Sequence, residues 1–363
     1  MEMKHYLDDA IGLLSQLIAT PRVSREEAAA ATLMQQQMQQ WGLKPQREGN
    51  NVWAVCPNYN EQLPTLLLNA HIDTVKAVAS WTRQPLVPTI EGDRLYGLGS
   101  NDCGGGLVTL LMTYRWWLDS GLNKFNLVYL ASAEEEVSGR DGFSRVLPML
   151  PPIDAAIVGE PTGMQPAVAE RGLMVIDGYA KGVSGHAARG EGVNAIYEAL
   201  EDLVWLRDYR FERQSPLLGE TRMTVTQVES GTQHNVVPDR LHFVLDVRPT
   251  EQYTNEELLG FLQQHMRRCQ LEARSLRLRS SSIAADHPLV RCCQALGLQP
   301  FGSPTLSDQA LMPFPSLKLG PGQSSRSHSA DEFVCITELN SALNLYAQLL
   351  ILLNDDIDGI LPY

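Results

Sequence analysis

Two segments of strand length are apolar on both faces, and they constrain the fold more than any other feature. TLLLNA (residues 65–70) is apolar up to Asn69, and NLVYLA (residues 126–131) is apolar after its first residue. Such strands lie in the middle of a sheet whose two faces are covered. A helical segment, GGGLVTLLMTYRWWLDSG (residues 104–121), separates them. The first part of the chain is therefore predicted to be an α/β layer structure.

The pattern changes near residue 171 and changes back near residue 282. Strand-like alternation and helical periodicity follow one another in the order βαββαβ, over residues 172–184, 193–209, 222–231, 240–249, 255–269 and 271–281. This is the order of a ferredoxin-like sandwich of ordinary domain size. Short apolar strands and a long helix (Thr337–Asn354) follow. We therefore predict an α+β domain, residues 171–282, inserted into an α/β domain formed by residues 1–170 and 283–363.

The first two helices are predicted from their apolar spacing and their ends. Residues 1–20 have apolar positions at helical spacing interrupted by charges, which indicates an amphipathic helix and not a signal peptide. A second helix is predicted over Ser24–Gly42, with Ser24 as its N-cap and Gly42 at its end. Since no run of 18 apolar residues occurs, we expect nothing that spans a membrane.

Charge and cysteine usage narrow the class of partner. The net charge of −13 argues against a nucleic acid or an anionic membrane, because phosphate binding needs a basic face. Small molecules are the expected partners. The six cysteines are scattered and lack C-x-x-C spacing, which is typical of reduced thiols in a cytosolic enzyme. We therefore expect a cytoplasmic protein.

A histidine and an aspartate follow the first of the buried strands. His71 and Asp73 are two residues apart, so both side chains leave the same face of the strand. A metal-binding histidine usually donates its second ring N–H to a carboxylate, and this spacing can supply one. The pair is equally compatible with a simple histidine–aspartate hydrogen bond.

The glycine-rich loop YGLGSNDCGGG (residues 96–106) resembles a phosphate cradle only superficially. It lacks the G-K-[ST] of a P-loop, and Asp102 stands where G-x-G-x-x-G requires its third glycine. A carboxylate would repel a phosphate. We predict instead that the glycines let the backbone pack closely around Asp102 and direct its carboxylate toward a cation.

More acidic residues follow the next strands. Glu134, Glu135 and Glu136 come after one strand and Glu160 after another, and His328 lies in SSRSHSADEF. Singly, Glu160 could cap a helix and His328 could be an ordinary loop residue. The carboxyl ends of strands converge on one crevice in an α/β sheet, where several carboxylates would repel each other without cations. Two divalent metals would compensate, and histidine with carboxylate fits zinc best, with cobalt or manganese as alternatives.

Six ordered motifs carry a family resemblance. HIDTV, GSNDCGGG, SAEEE, VGEPT, SGHAA and SHSADEF, together with the inserted βαββαβ unit, resemble the M20 family of di-zinc aminoacylases and carboxypeptidases. The chain is most similar to its acetylornithine deacetylase and succinyl-diaminopimelate desuccinylase branch. The resemblance covers nearly the whole chain. It implies a zinc-exopeptidase-like catalytic domain with an inserted lid and dimerisation domain.

The resemblance also implies roles for individual residues. His71 and Glu160 would hold one zinc, Glu136 and His328 the other, and Asp102 would bridge them. Asp73 would orient His71, and Glu135 would be the general base. His186 in SGHAAR is similar to a lid histidine that reaches the active site from the partner subunit of a homodimer.

Two departures from the family pattern are visible. Cys103 and Gly104 follow Asp102 where many relatives have a lysine nearby, so the local loop is expected to differ. The acidic run begins with a glutamate where relatives often have aspartate, and aligning its last two acids makes Glu135 the base and Glu136 the ligand. Glu134 receives no role beyond local structure.

Substrate binding calls for a cation, because a deacylase of this branch must hold the carboxylate of an amino acid. Arg171, Arg248 and Arg326 are the candidates, since guanidinium matches a carboxylate in two places. Arg326 lies two residues before a predicted ligand, and Arg248 ends a lid strand as an arginine does in relatives. Asn235 in QHNVVP matches a lid asparagine associated with substrate. Ordinary salt bridges would also explain all three arginines.

Three functional hypotheses follow. The first is a zinc-dependent deacylase of N-acetylornithine or N-succinylornithine in arginine biosynthesis, with a carboxypeptidase or dipeptidase of the same family as its near alternative. The second is a catalytically silent metal-binding or amino-acid-binding relative, which the complete set of ligands and base disfavours. The third is a nucleotide-binding oxidoreductase using residues 97–106, which the loop chemistry disfavours.

Overall fold

The chain folds into two compact units. The computed structural model describes residues 3–356. The first unit contains residues up to Val168, Ser282–Phe301 and residues from Ser307 onward, and the inserted unit contains Ala169–Ser281 with Gly302–Leu306. The chain thus changes unit two residues before the predicted position 171 and one residue before position 283. The short return of Gly302–Leu306 to the inserted unit has no counterpart in the sequence pattern.

Both units contain helices and strands, and the two kinds of element alternate along most of the first unit. Within the described residues the α-helices are α1 (Lys4–Ala19), α2 (Ala28–Gln40), α3 (Gly105–Ser120), α4 (Phe143–Val146), α5 (Ala195–Asp208), α6 (Asn255–His265), α7 (Pro288–Ala295) and α8 (Ile336–Asp355). The strands are β1 (Gln46–Glu48), β2 (Asn51–Val55), β3 (Thr65–His71), β4 (Thr89–Glu91), β5 (Arg94–Tyr96), β6 (Asn126–Ser132), β7 (Ala155–Val158), β8 (Ala167–Glu170), β9 (Met174–Lys181), β10 (Gln214–Ser215), β11 (Gly219–Glu220), β12 (Arg222–Ser230), β13 (Arg240–Arg248), β14 (Gln270–Ala273), β15 (Ser281–Ser282), β16 (Phe301–Ser303), β17 (Ser316–Lys318) and β18 (Phe333–Cys335).

The first unit is built on a mixed sheet with the strand order β1-β2-β6-β3-β7-β17. The pairs β6–β3, β3–β7 and β7–β17 are parallel, while β1 and β2 form an antiparallel edge. Every residue of β3 and β6 is buried. The prediction of a central sheet is therefore confirmed, and the fold is a mixed α/β structure as expected.

Alternate residues of β3 enter different cores. Leu66 and Leu68 pack with α1, α3 and α8 on one face of the sheet, whereas Leu67 packs on the other face with Trp53 and Phe143. Helix α8 is long and apolar enough to cross a membrane by length and composition alone. Its face around Leu343 and Leu350 is buried in the core against α3, which accounts for its apolar character in a globular fold.

The inserted unit is a four-stranded antiparallel sheet with two long helices. Its strand order is β12-β13-β9-β14, and β9, α5, β12, β13, α6 and β14 occur along the chain in the predicted βαββαβ order. Side chains of β9 alternate between buried and exposed, with Ile176 and Gly178 on the buried face. The buried residues of β9 and β13 form a core with Leu258 and Leu262 of α6.

Two local predictions were wrong. Helix α2 begins at Ala28 and its first turn has no side-chain cap, because the Ser24 hydroxyl is engaged elsewhere and donates to Asp73 Oδ2 at 2.7 Å. The strand predicted over residues 271–281 ends at Ala273. The register pairs with β9 end at Ala273, and Arg274 adds one more contact on each side: its backbone N–H donates to the Val175 carbonyl oxygen at 2.9 Å and its side chain binds Asp177. Among the described residues, the alternation beyond Arg274 has no partner strand in the predicted register.

Candidate metal centre

Three neighbouring parallel strands end at the same edge of the first unit. Strand β3 ends at His71, β6 ends at Ser132 just before the glutamate run, and β7 ends two residues before Glu160. Since β6, β3 and β7 are adjacent and parallel, the residues that follow them are brought together. The turn Ser100–Gly104 before α3, in which Asp102 has a non-helical backbone, adds Asp102 to the same cluster.

Asp102 lies between the two histidines. Its Oδ1 is 3.2 Å from His71 Nε2, and its Oδ2 is 3.5 Å from His328 Nε2. Each histidine also faces a glutamate: His71 Nε2 lies 3.8 Å from Glu160 Oε1, and His328 Nε2 lies 2.9 Å from Glu136 Oε2. The five residues therefore form two histidine–glutamate pairs that share one aspartate.

The donor set fits divalent cations. Ligand atoms of His71, Asp102 and Glu136 all lie within 4.8 Å of one another. Among residues 3–356, Glu160 Oε1 is a buried oxygen without a hydrogen-bond partner. A buried carboxylate oxygen is costly in that state unless a cation compensates it. Imidazole and carboxylate are ligands that zinc and neighbouring transition metals accept.

Electrostatics in the protein alone show the same shortage of positive charge. Burial raises the pKa of Glu160 to about 8 and the pKa of Glu135 well above its usual range. Burial disfavours the charged form of His71, but the surrounding negative groups raise its pKa well above the usual value. The hydrogen bond with Glu136 raises the pKa of His328 to about 9. Divalent ions bound between these groups would compensate the carboxylates in place of protons.

His71 is oriented by the backbone as well as by Asp73. Its Nδ1 lies 2.9 Å from the backbone carbonyl oxygen of Asp73 and 3.6 Å from that residue's carboxylate. A ring N–H donated at Nδ1 leaves Nε2 as a lone-pair donor that faces Asp102, Glu160 and Glu135. This is the tautomer that a metal ligand requires.

The carboxylate of Asp73 holds the glutamate turn. Its Oδ1 accepts the backbone N–H of Glu135 at 3.0 Å, and its Oδ2 accepts that of Glu136 at 3.1 Å and the Ser24 hydroxyl at 2.7 Å. The backbone N–H of Glu134 donates to Glu27, a fully buried carboxylate. Three successive amides are therefore fixed by two carboxylates, which sets the directions of the glutamate side chains.

The three glutamates of this turn point to different places. Glu136 meets His328, and Glu135 Oε2 lies 4.0 Å from His71 Nε2. Glu134 has a left-handed backbone with φ of 55°, and its carboxylate lies against Gly139 and accepts the Asp141 N–H at 3.4 Å. Only two of the three acids therefore face the cluster.

The predicted residues of the inserted unit lie on two paired loops, at the end of β13 and directly after β8. His186 forms a β-bridge with Val236, and the Ala187 N–H donates to the Asn235 carbonyl oxygen at 3.1 Å. His186 and Asn235 are thus close in the same loop pair. Arg248 binds Asp246 through two hydrogen bonds of 2.8 and 3.0 Å, and Arg171 donates to the carbonyl oxygens of Glu220 and Leu218.

Arg326 of the first unit is also engaged. It donates to both carboxylate oxygens of Glu338, at 2.7 and 3.1 Å, and lies over the ring of Phe333. Each of the three candidate arginines therefore has existing partners that a substrate carboxylate would have to replace or join.

Comparison with known proteins decides the family. The sequence profile of peptidase family M20/M25/M40 matches residues 67–352, well over half of the chain. The chain belongs to this family. An acetylornithine deacetylase of Edwardsiella ictaluri is 29% identical and is aligned over 96% of this chain and 98% of its own length.

Solved structures of other proteins share the fold of this chain. Aminopeptidase PepT of Bacillus cereus has a TM-score of 0.75 at 16% identity and covers 95% of this chain and 98% of its own. The YXEP protein of Bacillus subtilis, a dinuclear metal binding peptidase from the M20 family, has a TM-score of 0.75 at 15% identity and covers 97% and 99%. The present chain is a metallo-hydrolase of the M20 family.

Three buried charged residues of this M20 hydrolase hold the backbone of the loops that form the site. The sequence alone does not predict this role. Glu332 accepts the backbone N–H groups of Gly99, Asn101 and Asp102, each at 2.8 Å. Arg22 donates to backbone carbonyls of the same region, and Glu27 holds Glu134. All three are at most 2% exposed. Their position in loops gives no periodicity, so only a three-dimensional structure reveals their burial.

A fourth such residue of the M20 hydrolase lies deeper. Asp308 is buried, and its Oδ2 accepts hydrogen bonds from Asn69 at 3.0 Å and Ser132 at 2.6 Å. These two residues belong to β3 and β6, directly beneath His71 and the glutamate turn. Asn69 is the polar residue that interrupts the apolar run of β3, and this interruption was the one available sign of a buried partner.

Proposed function

We propose that this M20 hydrolase is a two-metal deacylase that removes an acyl group from the amine of an N-acyl amino acid. The observation that carries the proposal is Asp102, whose two oxygens face different histidines, each paired with its own glutamate. The ligands are then His71 and Glu160 for one ion, His328 and Glu136 for the other, and Asp102 between them. We propose zinc as the metal, with cobalt or manganese able to replace it.

Glu135 is the proposed general base. When bound, two divalent ions would supply an acidified water and positive charge for the tetrahedral intermediate of amide hydrolysis. Glu135 accepts the proton of the attacking water and returns it to the departing amine. Its backbone amide is fixed by Asp73, and its carboxylate is largely buried, with Oε2 4.0 Å from His71 Nε2.

His186 is proposed to stabilise the developing oxyanion in a neighbouring subunit. Its loop is exposed and is held by backbone pairing with the Asn235 loop. Within the inserted unit, β12 is an edge strand, and α5 exposes Tyr197, Leu200 and Val204 to 70%, 47% and 46%. An open strand edge beside an apolar helix face is a surface suited to a second copy of the chain. We therefore propose a homodimer formed through the inserted unit.

Hybrid dimers test this proposal. Glu135→Gln and His186→Ala are each expected to be nearly inactive alone. Refolded together, they should regain activity, because one site of the hybrid combines an intact Glu135 with an intact His186 of the other chain. A mixture that stays inactive while mass spectrometry shows hybrid dimers would contradict the contribution in trans.

We propose Arg248 and Asn235 as the groups that hold the substrate's carboxylate. Arg248 is exposed at the end of β13, and its partner Asp246 is also partly exposed, so a carboxylate can join or replace that pair. Arg326 and Arg171 remain candidates, but their partners are Glu338 and backbone carbonyls that also stabilise the local fold.

The named relatives suggest the amino acid. They are acetylornithine deacetylases aligned over almost the whole chain. We therefore propose N-acetylornithine or N-succinylornithine as the substrate, in cytoplasmic arginine biosynthesis. Asp246 beside Arg248 is suited to the amine of ornithine after the carboxylate has bound the arginine.

A substrate panel tests the proposal. Metal-free protein would be reconstituted with zinc or cobalt and assayed with N-acetylornithine, N-succinylornithine and dipeptides that end in ornithine. Activity on one acyl-ornithine, lost on chelation and restored by metal, is expected. Faster hydrolysis of the dipeptides would make the chain a peptidase, and no metal-dependent hydrolysis of any amide would refute the proposal.

A further inference from the structure

A buried arginine links the two segments that carry His71 and Asp102. Arg22 lies in the loop between α1 and α2 and is 2% exposed. Its Nη1 donates to the carbonyl oxygen of Ile72 at 2.5 Å, and its Nη2 donates to that of Gly99 at 2.8 Å. Ile72 is adjacent to His71, and Gly99 begins the turn that leads to Asp102. One side chain thus spans both segments.

The Arg22 backbone is held as firmly as its side chain. The Thr74 N–H donates to the Arg22 carbonyl oxygen at 2.9 Å, and the Ser24 N–H donates to that of Thr74 at 3.1 Å. This short parallel pairing continues past β3. The guanidinium therefore starts from a fixed backbone position and reaches Gly99, at the start of the Asp102 turn.

Gly99, at one end of this link, is tightly packed. Gly99 has a φ of 71°, and a Cβ added there would lie 2.4 Å from Thr74 and 2.5 Å from Arg22 Nη2. Its carbonyl oxygen accepts from Arg22 and from the Gly104 N–H at 3.0 Å, and its own N–H donates to Glu332 at 2.8 Å. Both polar groups of this peptide region are thus fixed on either side of the turn.

The chemistry of the link requires guanidinium. Burial lowers the pKa of Arg22, while the negative charges of Glu332, Asp73 and Asp102 oppose that shift. Its two hydrogen-bond partners are backbone carbonyls and not carboxylates, so the charge is used to join two pieces of main chain. The planar fork of arginine can donate in two directions at once, whereas the ammonium of lysine is a single point.

We propose that Arg22 is a positioning residue that fixes the separation of His71 and Asp102, and with it the affinity of the site for its metal pair. The inference rests on the proposed two-metal function. Residues that orient metal ligands typically contribute 10–100-fold to metal affinity. The Arg22 link acts on two ligand-bearing segments simultaneously, so its loss should weaken binding of the ion that Asp102 shares with His71.

Arg22→Lys tests the proposal, because it keeps the buried charge and removes the two-way link. Arg25→Lys is the matched control, since Arg25 is an exposed arginine of the same loop. Metal-free proteins would be titrated with cobalt(II), following the visible absorption for affinity and stoichiometry and electron paramagnetic resonance for coupling between the two ions. Arg22→Lys should lose about tenfold or more in affinity for one equivalent and lose coupling, whereas Arg25→Lys should match the wild type.

A second variant covers the case in which Arg22→Lys does not fold. Arg22→Gly would be assayed with added guanidinium, which should restore cobalt affinity and kcat while KM changes little. Unchanged affinity and coupling in folded Arg22→Lys would overturn the proposal, as would Arg22→Gly that guanidinium stabilises to heat without restoring cobalt binding. If the wild type itself bound no metal pair, the proposed function would fail first, and the two failures are thereby distinguished.

Discussion

Two aspartates, Asp73 of the first unit and Asp177 of the inserted unit, are held by different kinds of partner. Asp73 of the first unit is fully buried, and its oxygens accept two backbone amides and one hydroxyl. Asp177 of the inserted unit is partly exposed and binds the side chains of Arg274 and His242. The partners of Asp73 are mostly main chain, while those of Asp177 are side chains with solvent around them.

The two kinds of partner hold a carboxylate with different firmness. Backbone N–H groups in a folded turn cannot change rotamer, so a carboxylate that binds them is held in one place. An exposed arginine can leave its partner at little cost, because water replaces it. Asp73 is therefore held in a fixed position, whereas the Asp177 network only adds local stability to an exposed sheet face.

The largest effect should come from the side chain that the fixed turn presents. Glu135→Gln keeps the size of the side chain and the hydrogen bond from the backbone N–H of residue 135 to Asp73, but the new side chain cannot accept a proton. We expect kcat to fall by about 1,000-fold, the usual scale for losing a general base. Steady-state kinetics on the best acyl-ornithine would measure it. Glu134→Gln is the matched control, because that neighbour faces Gly139 and should retain activity.

The metal content of the Glu135→Gln variant shows how its loss of kcat should be interpreted. If two ions remain bound and kcat falls, the loss belongs to proton transfer. Near wild-type turnover with two bound ions would remove Glu135 from the mechanism, and loss of metal would instead make it a ligand.

The next largest effect should be a different dependence of folding stability on pH in the two units. In the first unit, burial raises the pKa of Glu160 to about 8 and that of Glu332 to about 7. In the inserted unit, the pKa of Asp177 is lowered to about 2, chiefly by its hydrogen bond with Arg274. A raised pKa means that the folded state binds more protons, so folding stability falls as pH rises from about 4.5 to about 8. A shift like that of Glu332 corresponds to about 3 kcal/mol.

Hydrogen exchange followed by mass spectrometry can read both units in one experiment. With chelator present, protection of α3 and β3 should decrease between pH 5 and 8 after correction for intrinsic exchange. Protection of β9 and β13 should not, because the lowered pKa of Asp177 contributes stability that is lost only in acid. Added zinc should reverse the trend in the first unit, since metal binding strengthens as protons leave. Equal pH dependence in both units would contradict this account.

The sequence predicted the helices and strands, and which side chains lie together at the strand ends, better than it predicted the buried residues that hold those side chains. Continuous apolar runs indicated β3 and β6 because both faces of those strands are covered, and the inserted unit followed from its alternation. Glu134 was left without a role, and its side chain indeed lies against Gly139. Ser24 was misassigned as a helix cap, because the pattern that favours a cap cannot reveal a competing carboxylate such as Asp73. Long-range polar contacts of this kind leave no periodicity.

The smallest expected effect tests the two aspartates directly. Asp73→Asn exchanges one acceptor oxygen for a donor NH₂ that faces a backbone N–H, so the glutamate turn must shift. We expect a 10–100-fold loss of zinc affinity, measured by competition with a chromophoric chelator. Asp177→Asn should leave zinc affinity unchanged and lower the free energy of unfolding by no more than about 1 kcal/mol, since its ion pairs are exposed.

The reverse result would show that the comparison is wrong. If Asp177→Asn weakened zinc binding as much as Asp73→Asn, the main-chain partners of Asp73 would have no special part in positioning the ligands. Ser24→Ala is a further test, because it removes only the hydroxyl that donates to Asp73 and leaves the hydrogen bonds from the two backbone N–H groups. Its effect on zinc affinity should lie between those of the two aspartate variants, because Asp73 then keeps two of its three hydrogen bonds and all three amides of the glutamate turn keep their partners.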